Sequence, residues 1–328
     1  MAIGYWLGVD LGGTKVLSGL FDDNLKLLAR SKHPTSAEGG PAAVFGRIVQ
    51  GVEAVVREAG IDPGQIHGMG LGIPGQVEVG TTRVRFAPNL AWRDVDLKAF
   101  MPPSWGWPLV VENDVRMGTY GEFSHGAARG ARNVFGVFVG TGVGGGLILN
   151  GDLFTGFNGH AGEIGHLIVH WRKGTELEHI AGRKFMMARA VDILGDSPKR
   201  VRKEWKNVDP ASVRSSELAK YYLKDDPIAV QLVDDAARAL GAAIGGVVNL
   251  LSPEIVVIGG GVTMALLQDT VPGESFIERI WEIAQRYTLP GAATGVRCVP
   301  AALGDDAGII GCAAYAKAHL PALAANVA

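Results

Sequence analysis

The sequence predicts an α/β protein built as two related lobes, and three observations predict it. The first is Asp10-Leu-Gly-Gly-Thr-Lys15, set between short apolar runs at 5–9 and 16–21. This reads as strand, Gly-rich turn, strand. The second is the same arrangement in the other half of the chain. Val137-Phe-Val139 leads into Gly140-Thr-Gly-Val-Gly-Gly-Gly146, then Leu147-Ile-Leu149 and an Asn150-Gly151 turn, a hairpin signal. The third is the alternation of short buried-strand runs with stretches of helical period along the chain. Two glycine-threonine hairpins in one chain point to a duplicated fold that clasps phosphates between its lobes.

Taken in order, the elements support this. Residues 25–29 predict a third strand after the opening hairpin. Residues 42–60 place Val44, Ile48, Val52, Val55 and Val56 at helical spacing, and Ile61-Asp-Pro-Gly64 stops that helix. Residues 69–73 predict a buried strand ending at Pro74-Gly75, 77–86 an edge hairpin, and 88–92 a loop. Pro108-Leu-Val-Val111 predicts a strand that runs directly into Glu112-Asn113-Asp114. Polar residues at the carboxyl end of a buried strand are where α/β sheets bind ligands. The lobe boundary is placed there: residues 1–114 form a smaller N-terminal lobe and 115–303 a larger one. In the second lobe, helices are predicted over 115–123, 183–194, 227–251 and 276–284, and a strand over 255–258 that opens on Gly259-Gly260-Gly261. Residues 196–226 read as an exposed insertion whose Lys199, Arg200, Arg202, Lys203 and Lys206 form a solvated face. Residues 304–319 close the chain as a small-residue helix.

Composition narrows the function. The chain has 328 residues, 47% hydrophobic and 20% charged, enough for two domains with a substantial core. A net charge of −2 gives no footprint for nucleic acid or an anionic membrane. Cys298 and Cys312 are the only cysteines, which excludes a disulfide framework and suits a reducing cytoplasm. No signal-peptide pattern is present, and no apolar run approaches the roughly 18 residues of a spanning helix.

The residue types then suggest chemistry. Gly12 and Gly13 let backbone N–H groups approach an anion, Thr14 and Lys15 add a hydroxyl and a positive charge, and Asp10 can hold a hydrated Mg²⁺. An ordinary hairpin turn is the simpler alternative. Gly140, Gly142 and Gly145 match the glycines of a dinucleotide fingerprint, but a strand follows where that motif needs a helix. No P-loop pattern exists. Asp114 has two readings: a base that orients an acceptor hydroxyl and takes its proton, or a helix N-cap. Asn113 donates and accepts, as a sugar hydroxyl requires. Glu163 and His166, in Gly159-His-Ala-Gly-Glu-Ile-Gly-His166, suit a polyol clamp. Structural hydrogen bonding, or a metal held with His160, His170 and His179, are the other readings.

Together these motifs resemble the ROK family (repressors, uncharacterised frames and sugar kinases). Asp10-x-Gly-Gly-Thr-Lys15 is similar to its first phosphate loop and Gly140-Thr-Gly-Val-Gly-Gly-Gly146 to its second. Gly72-Ile-Pro-Gly75, Pro88-Asn-Leu-x-Trp92, Glu112-Asn-Asp114, Gly162-Glu-Ile-Gly-His166, Ile258-Gly-Gly-Gly-Val262 and Leu303-Gly-Asp-Asp-Ala-Gly-x-x-Gly311 follow in order. The resemblance implies a two-lobed actin-like ATPase (ribonuclease H-like) fold with mixed sheets, an active-site cleft between the lobes and a last helix crossing back to the first lobe. It implies Asp114 as catalytic base and Asn113, Glu163, His166, Glu178 and the Gly75 backbone as sugar contacts, with Asn89 beside them. It assigns Asp10, Gly12, Gly13, Thr14, Lys15, Gly140, Thr141, Gly142, Gly260 and Gly261 to the nucleotide. Many members carry a Cys-x-Cys-x4-Cys zinc loop. Here Trp171-Arg-Lys-Gly174 occupies that interval without cysteine, so no zinc site is expected and His166 must be buttressed in another way. The first strand starts by residue 5, leaving no room for a DNA-binding helix-turn-helix.

The expectation is a cytoplasmic hexose kinase using ATP and Mg²⁺, glucose first, acting as a homodimer, with a sugar and a nucleotide as its partners. The alternatives are another acceptor (fructose, N-acetylmannosamine, allose or an inositol), polyphosphate as donor, a non-catalytic sugar-sensing regulator, or an ATPase with no small acceptor.

Overall fold

The computed structural model describes residues 4–196, 205, 208–267 and 275–325. The basic residues expected on a solvated face, Lys199 to Lys206, lie outside the described residues. Contacts divide the chain into two compact units, one made of Met1–Gly130, Gly146–Ala161 and Asp305–Ala328, the other of Ala131–Gly145 and Gly162–Gly304.

The first unit is built on β1 (Tyr5–Leu11), β2 (Lys15–Asp22), β3 (Leu27–Pro34), β4 (Ile66–Ile73) and β8 (Leu109–Asn113), in the order β3-β2-β1-β4-β8. The three strands β3, β2 and β1 are antiparallel; β4 and β8 run parallel to β1. Register is what positions the site. Asp10 lies opposite Gly72, Gly72 opposite Glu112, and Ile73 opposite Asn113. Three parallel strands therefore end level, and Asp10 and the Asn113-Asp114 pair lie at their carboxyl ends. Helix α1 (Gly40–Ala59) covers one face. Its Val44, Ile48, Val52 and Val55 are buried against Leu7, Val9, Leu11, Val16 and Leu20, as the periodicity predicts. On the other face Trp6, Leu17 and Phe21 pack on Ile309, Ala313, Ala316 and Leu320 of the C-terminal helix Ala307–Ala325.

Two expectations in this unit change. The third strand is longer and begins later than residues 25–29, because Arg30, Lys32 and His33 sit on the outer strand of the sheet, where charge protects an edge. Residues 88–92 are not a plain loop. Pro88–Leu90 forms one 3-10 turn, and Trp92 opens β7 (Trp92–Asp96). With β5 (Gln76–Val77) and β6 (Arg83–Ala87) it makes a small antiparallel sheet that buries Trp92 at 2% exposure. After β8 comes helix α2 (Asp114–His125).

In the second unit β9 (Val134–Val139) runs parallel to β14 (Ile255–Gly259), and β14 parallel to β15 (Arg297–Pro300). Strand β10 (Val143–Leu149) leaves the 140–142 turn and pairs with β11 (Asp152–Leu153). A short hairpin, β12 (Ile168–His170) with β13 (Thr175–Glu176), precedes α3 (Glu178–Ala181) and α4 (Arg183–Asp196). The long helix Pro227–Leu251 packs on the helix Phe276–Tyr287 through Gly241 and Gly245. Within the stretch expected to be exposed, Trp205 is buried. It stacks on Tyr221 and donates from Nε1 to Asp226 Oδ2 at 3.0 Å. Among the described residues no helix is long and apolar enough to cross a membrane.

Candidate active site

Two groups of predicted residues form, one in each unit. In the first unit the turn after β1 is tied tightly: the Gly12 N–H donates to Lys15 O at 2.9 Å. Thr35, fully buried, braces it from behind. Its hydroxyl donates to Gly12 O at 2.7 Å and its N–H to Thr14 O at 3.1 Å. Gly13 and Thr14 are left exposed on a stiffened backbone, the form an anion-binding turn needs. Asn89, also exposed, has its Cβ 3.9 Å from the position a Gly13 side chain would take. Lys15 pairs with Asp305 at 2.7 Å.

Asp10 ends β1 among three other charges. Burial, then the charge of Asp114, push its carboxyl up to about 7; Lys15 offsets part of this and Asp305 adds to it. A hydrated Mg²⁺ takes one or two carboxylates and keeps several waters; Asp10 is the carboxylate at this strand end. Among the described residues no group of three or more His, Cys, Asp or Glu side chains is arranged to hold a metal.

The cap question at α2 resolves in favour of Asn113. Its Oδ1 accepts from Val115 N at 2.9 Å and Arg116 N at 3.1 Å, and its Nδ2 donates to Gly75 O at 3.3 Å. Asp114 is the first residue of the helix, with its Oδ1 2.9 Å from Val115 N. One side chain that sequence reasoning missed supports this end. Arg116, at 2% exposure, donates from Nη1 to Glu112 Oε1 at 2.9 Å, and from Nη2 to Gly159 O at 2.6 Å and Ala161 O at 3.0 Å. Neither Thr35 nor Arg116 belongs to a motif, and nothing local in the sequence marks them.

In the second unit the 140–142 turn closes with Gly140 N–H donating to Gly142 O at 2.9 Å. The first N–H groups of α4 hold it: Arg183 N donates to Gly140 O and Lys184 N to Thr141 O, both at 3.0 Å. Glu178 lies against the same turn, its Oε2 accepting from Val143 N at 2.8 Å. Thr141 is exposed. Glu163 precedes the single 3-10 turn Ile164–His166, and His166 Nδ1 lies 2.8 Å from Glu176 Oε2. That hydrogen bond first, and the charges of Glu176, Glu163 and Glu178, hold the imidazole above its ordinary pKa against the effect of burial. Gly260, at φ +89°, leads from β14 into the short helix Gly261–Leu266. A Cβ there would stand 2.4 Å from Val139 O, so only glycine makes the turn. His179 packs edge-on against Phe185.

Comparison with known proteins adds three findings. The profile of the ROK family matches residues 6–319. A glucokinase of Halalkalibacterium halodurans is 31% identical over 322 residues, covering 94% of this chain and 93% of that one. Two solved structures superpose closely at 29% identity and a TM-score of 0.76 each. One is a ROK family glucokinase from Streptomyces griseus in complex with glucose and AMPPNP, covering 95% of this chain and 99% of that one. The other is a ROK hexokinase from Thermus thermophilus, covering 97% and 99%.

Proposed function

This chain belongs to the ROK family, and we propose that it is a sugar kinase that moves the γ-phosphoryl group of ATP to a hexose hydroxyl, with glucose as the first candidate. Its fold is the actin-like ATPase fold of the ROK glucokinases. Asp114 takes the proton of the attacking hydroxyl, probed first at O6. The freed oxygen forms its bond to the γ-phosphorus as the bond to the β-phosphate oxygen breaks, giving a sugar phosphate and ADP. Backbone N–H groups of Gly13, Thr14, Thr141 and Gly142, in turns that the Gly12 and Gly140 N–H groups close from within, join the hydroxyls of Thr14 and Thr141 in holding phosphate oxygens where negative charge develops. Gly260 and Gly261 admit the rest of the nucleotide close to the backbone. Asn113, Glu163, His166, Glu178, Asn89 and the Gly75 backbone orient the sugar. Asp10 would hold Mg²⁺ through water, and that ion, when bound, neutralises charge on the β- and γ-phosphates.

The observation that carries the mechanism is the division of labour at α2. Asn113 caps the helix, Asp114 follows it at the end of a buried strand with Oδ1 accepting from Val115 N, and the Asp114 charge is felt at Asp10. Mg²⁺, a homodimer and a cytoplasmic location complete the reading on the strength of the family resemblance. A non-catalytic regulator draws less support, because the full-length relatives above are glucokinases and a hexokinase. The test is ADP release with ATP, and again with polyphosphate, across a panel of glucose, fructose, N-acetylmannosamine, allose and an inositol. Glucose-dependent ADP release is expected. Sugar-independent hydrolysis, or none with any acceptor, contradicts the proposal.

A further inference from the structure

His166, like Asn89, is an exposed candidate sugar contact. Its side chain is 65% exposed, so no wall of packed side chains sets the plane of the ring. What meets the ring is a carboxylate delivered by the β12–β13 hairpin. Leu177, fully buried, anchors the base of that hairpin by donating its N–H to Leu167 O at 2.8 Å. Ile168 then lies opposite Glu176 and His170 opposite Thr175. This register returns Glu176 to the side of His166, ten residues upstream, with Oε2 2.8 Å from Nδ1. The tip of the hairpin, by contrast, points Trp171 into solvent at 79% exposure. The anchored base and the free tip indicate that the ordered end of the hairpin is the end that faces His166. The interval holds no cysteine, and the buttress expected for His166 is this carboxylate.

We propose that Glu176 is a positioning residue: by accepting a hydrogen bond from the Nδ1–H of His166 it fixes the ring plane and the tautomer, and so presents Nε2 to a sugar hydroxyl. The inference rests on the reading of His166 as a sugar contact. With the proton on Nδ1, the neutral ring carries its lone pair on Nε2 and accepts a hydrogen bond from the sugar there. An unpartnered imidazole would rotate and exchange tautomers, and each sugar encounter would then have to order it. The expected loss without Glu176 is that of one hydrogen bond in the bound state, about tenfold in affinity. The loss falls on KM for the sugar, because Glu176 touches no reacting atom.

The experiment uses the full-length protein as wild type, Glu176→Ala, Glu176→Gln and His166→Ala. Long-range ¹⁵N–¹H spectra of the imidazoles report the His166 tautomer without any sugar, and steady-state kinetics report KM and kcat for glucose. At a pH where the ring is neutral, above its raised pKa, the wild type should show the Nδ1–H tautomer. Glu176→Ala should lose it and raise the glucose KM about tenfold with kcat little changed. Glu176→Gln, whose amide oxygen still accepts from Nδ1, should keep the tautomer and a KM within about threefold of the wild type. An Nε2–H ring in the wild type overturns the positioning role even if the alanine variant does not fold. So does an alanine variant with the wild-type tautomer and KM. An unchanged glucose KM in His166→Ala instead overturns the sugar-contact reading beneath it.

Discussion

Burial and the neighbouring charge of Asp114 push the Asp10 carboxyl up to about 7, and this has a definite sign for stability. Between about pH 4 and 7 the folded chain keeps a proton on Asp10 that the unfolded chain releases. Stability therefore falls as pH rises through that window and levels off above it. Asp10→Asn removes the titration. The variant should match the wild type near pH 4 and exceed it at pH 8 by about 1–3 kcal/mol, the shift being discounted for the partial solvent access of the side chain. Urea midpoints at the two pH values read this directly; a constant difference between them contradicts it. Arg116 acts in the opposite sense. Its guanidinium is the partner of Glu112, which is only 7% exposed. Arg116→Met leaves that carboxylate buried without its counter-charge, with the Asn113 N–H still donating to it at 2.7 Å, at a cost of about 3–5 kcal/mol. Arg116→Lys restores the charge but not the fork that reaches Glu112 and two carbonyls together, so its urea midpoint should fall between the two. A methionine variant as stable as the wild type would remove Arg116 from the account.

The elements that carry the site are held by backbone contact as much as by side chains. A Cβ on Gly311 of the C-terminal helix would stand 1.7 Å from Met117 O in α2, and one on Gly8 in β1 would stand 1.9 Å from Ile309 O. Gly311→Ala must therefore push helix from helix, and we expect a loss of about 3 kcal/mol or more. Gly246→Ala, in the long helix Pro227–Leu251 with no neighbour within 4 Å of the new methyl, should be neutral or stabilising by up to about 1 kcal/mol. Thermal melts of the pair separate close approach from simple helix propensity, and equal melting temperatures would contradict the packing described. The same elements explain what the sequence disclosed. Strands β1, β2, β4, β8 and β14 were visible as apolar runs closed by glycine or by polar ends, and α1 by its period. Strand β3 was misjudged because an edge strand carries charge where a central one carries valine. Motif residues such as Asp10, Asn113, Asp114, Glu163 and His166 could be named from spacing. Their supports could not. Thr35 meets Gly12 across 23 positions, Arg116 meets Gly159 across 43 and Lys15 meets Asp305 across 290. Only the folded chain brings such partners together, and no local pattern encodes them.

At the scale of the whole molecule, similarity to glucokinases runs from near the first strand to the last helix, and each compact unit carries its own group of the predicted residues. The central claim is that one carboxylate, set just past a buried strand beside the capping Asn113, makes a sugar hydroxyl the acceptor of a phosphoryl group. The most direct test is the rate of ADP release as a function of glucose for the wild type and Asp114→Asn, each prepared to the same folded fraction. The account predicts saturable glucose dependence in the wild type and a rate about 100- to 10,000-fold lower in the variant, with glucose affinity retained. An asparagine variant that turns over at close to the wild-type rate contradicts it.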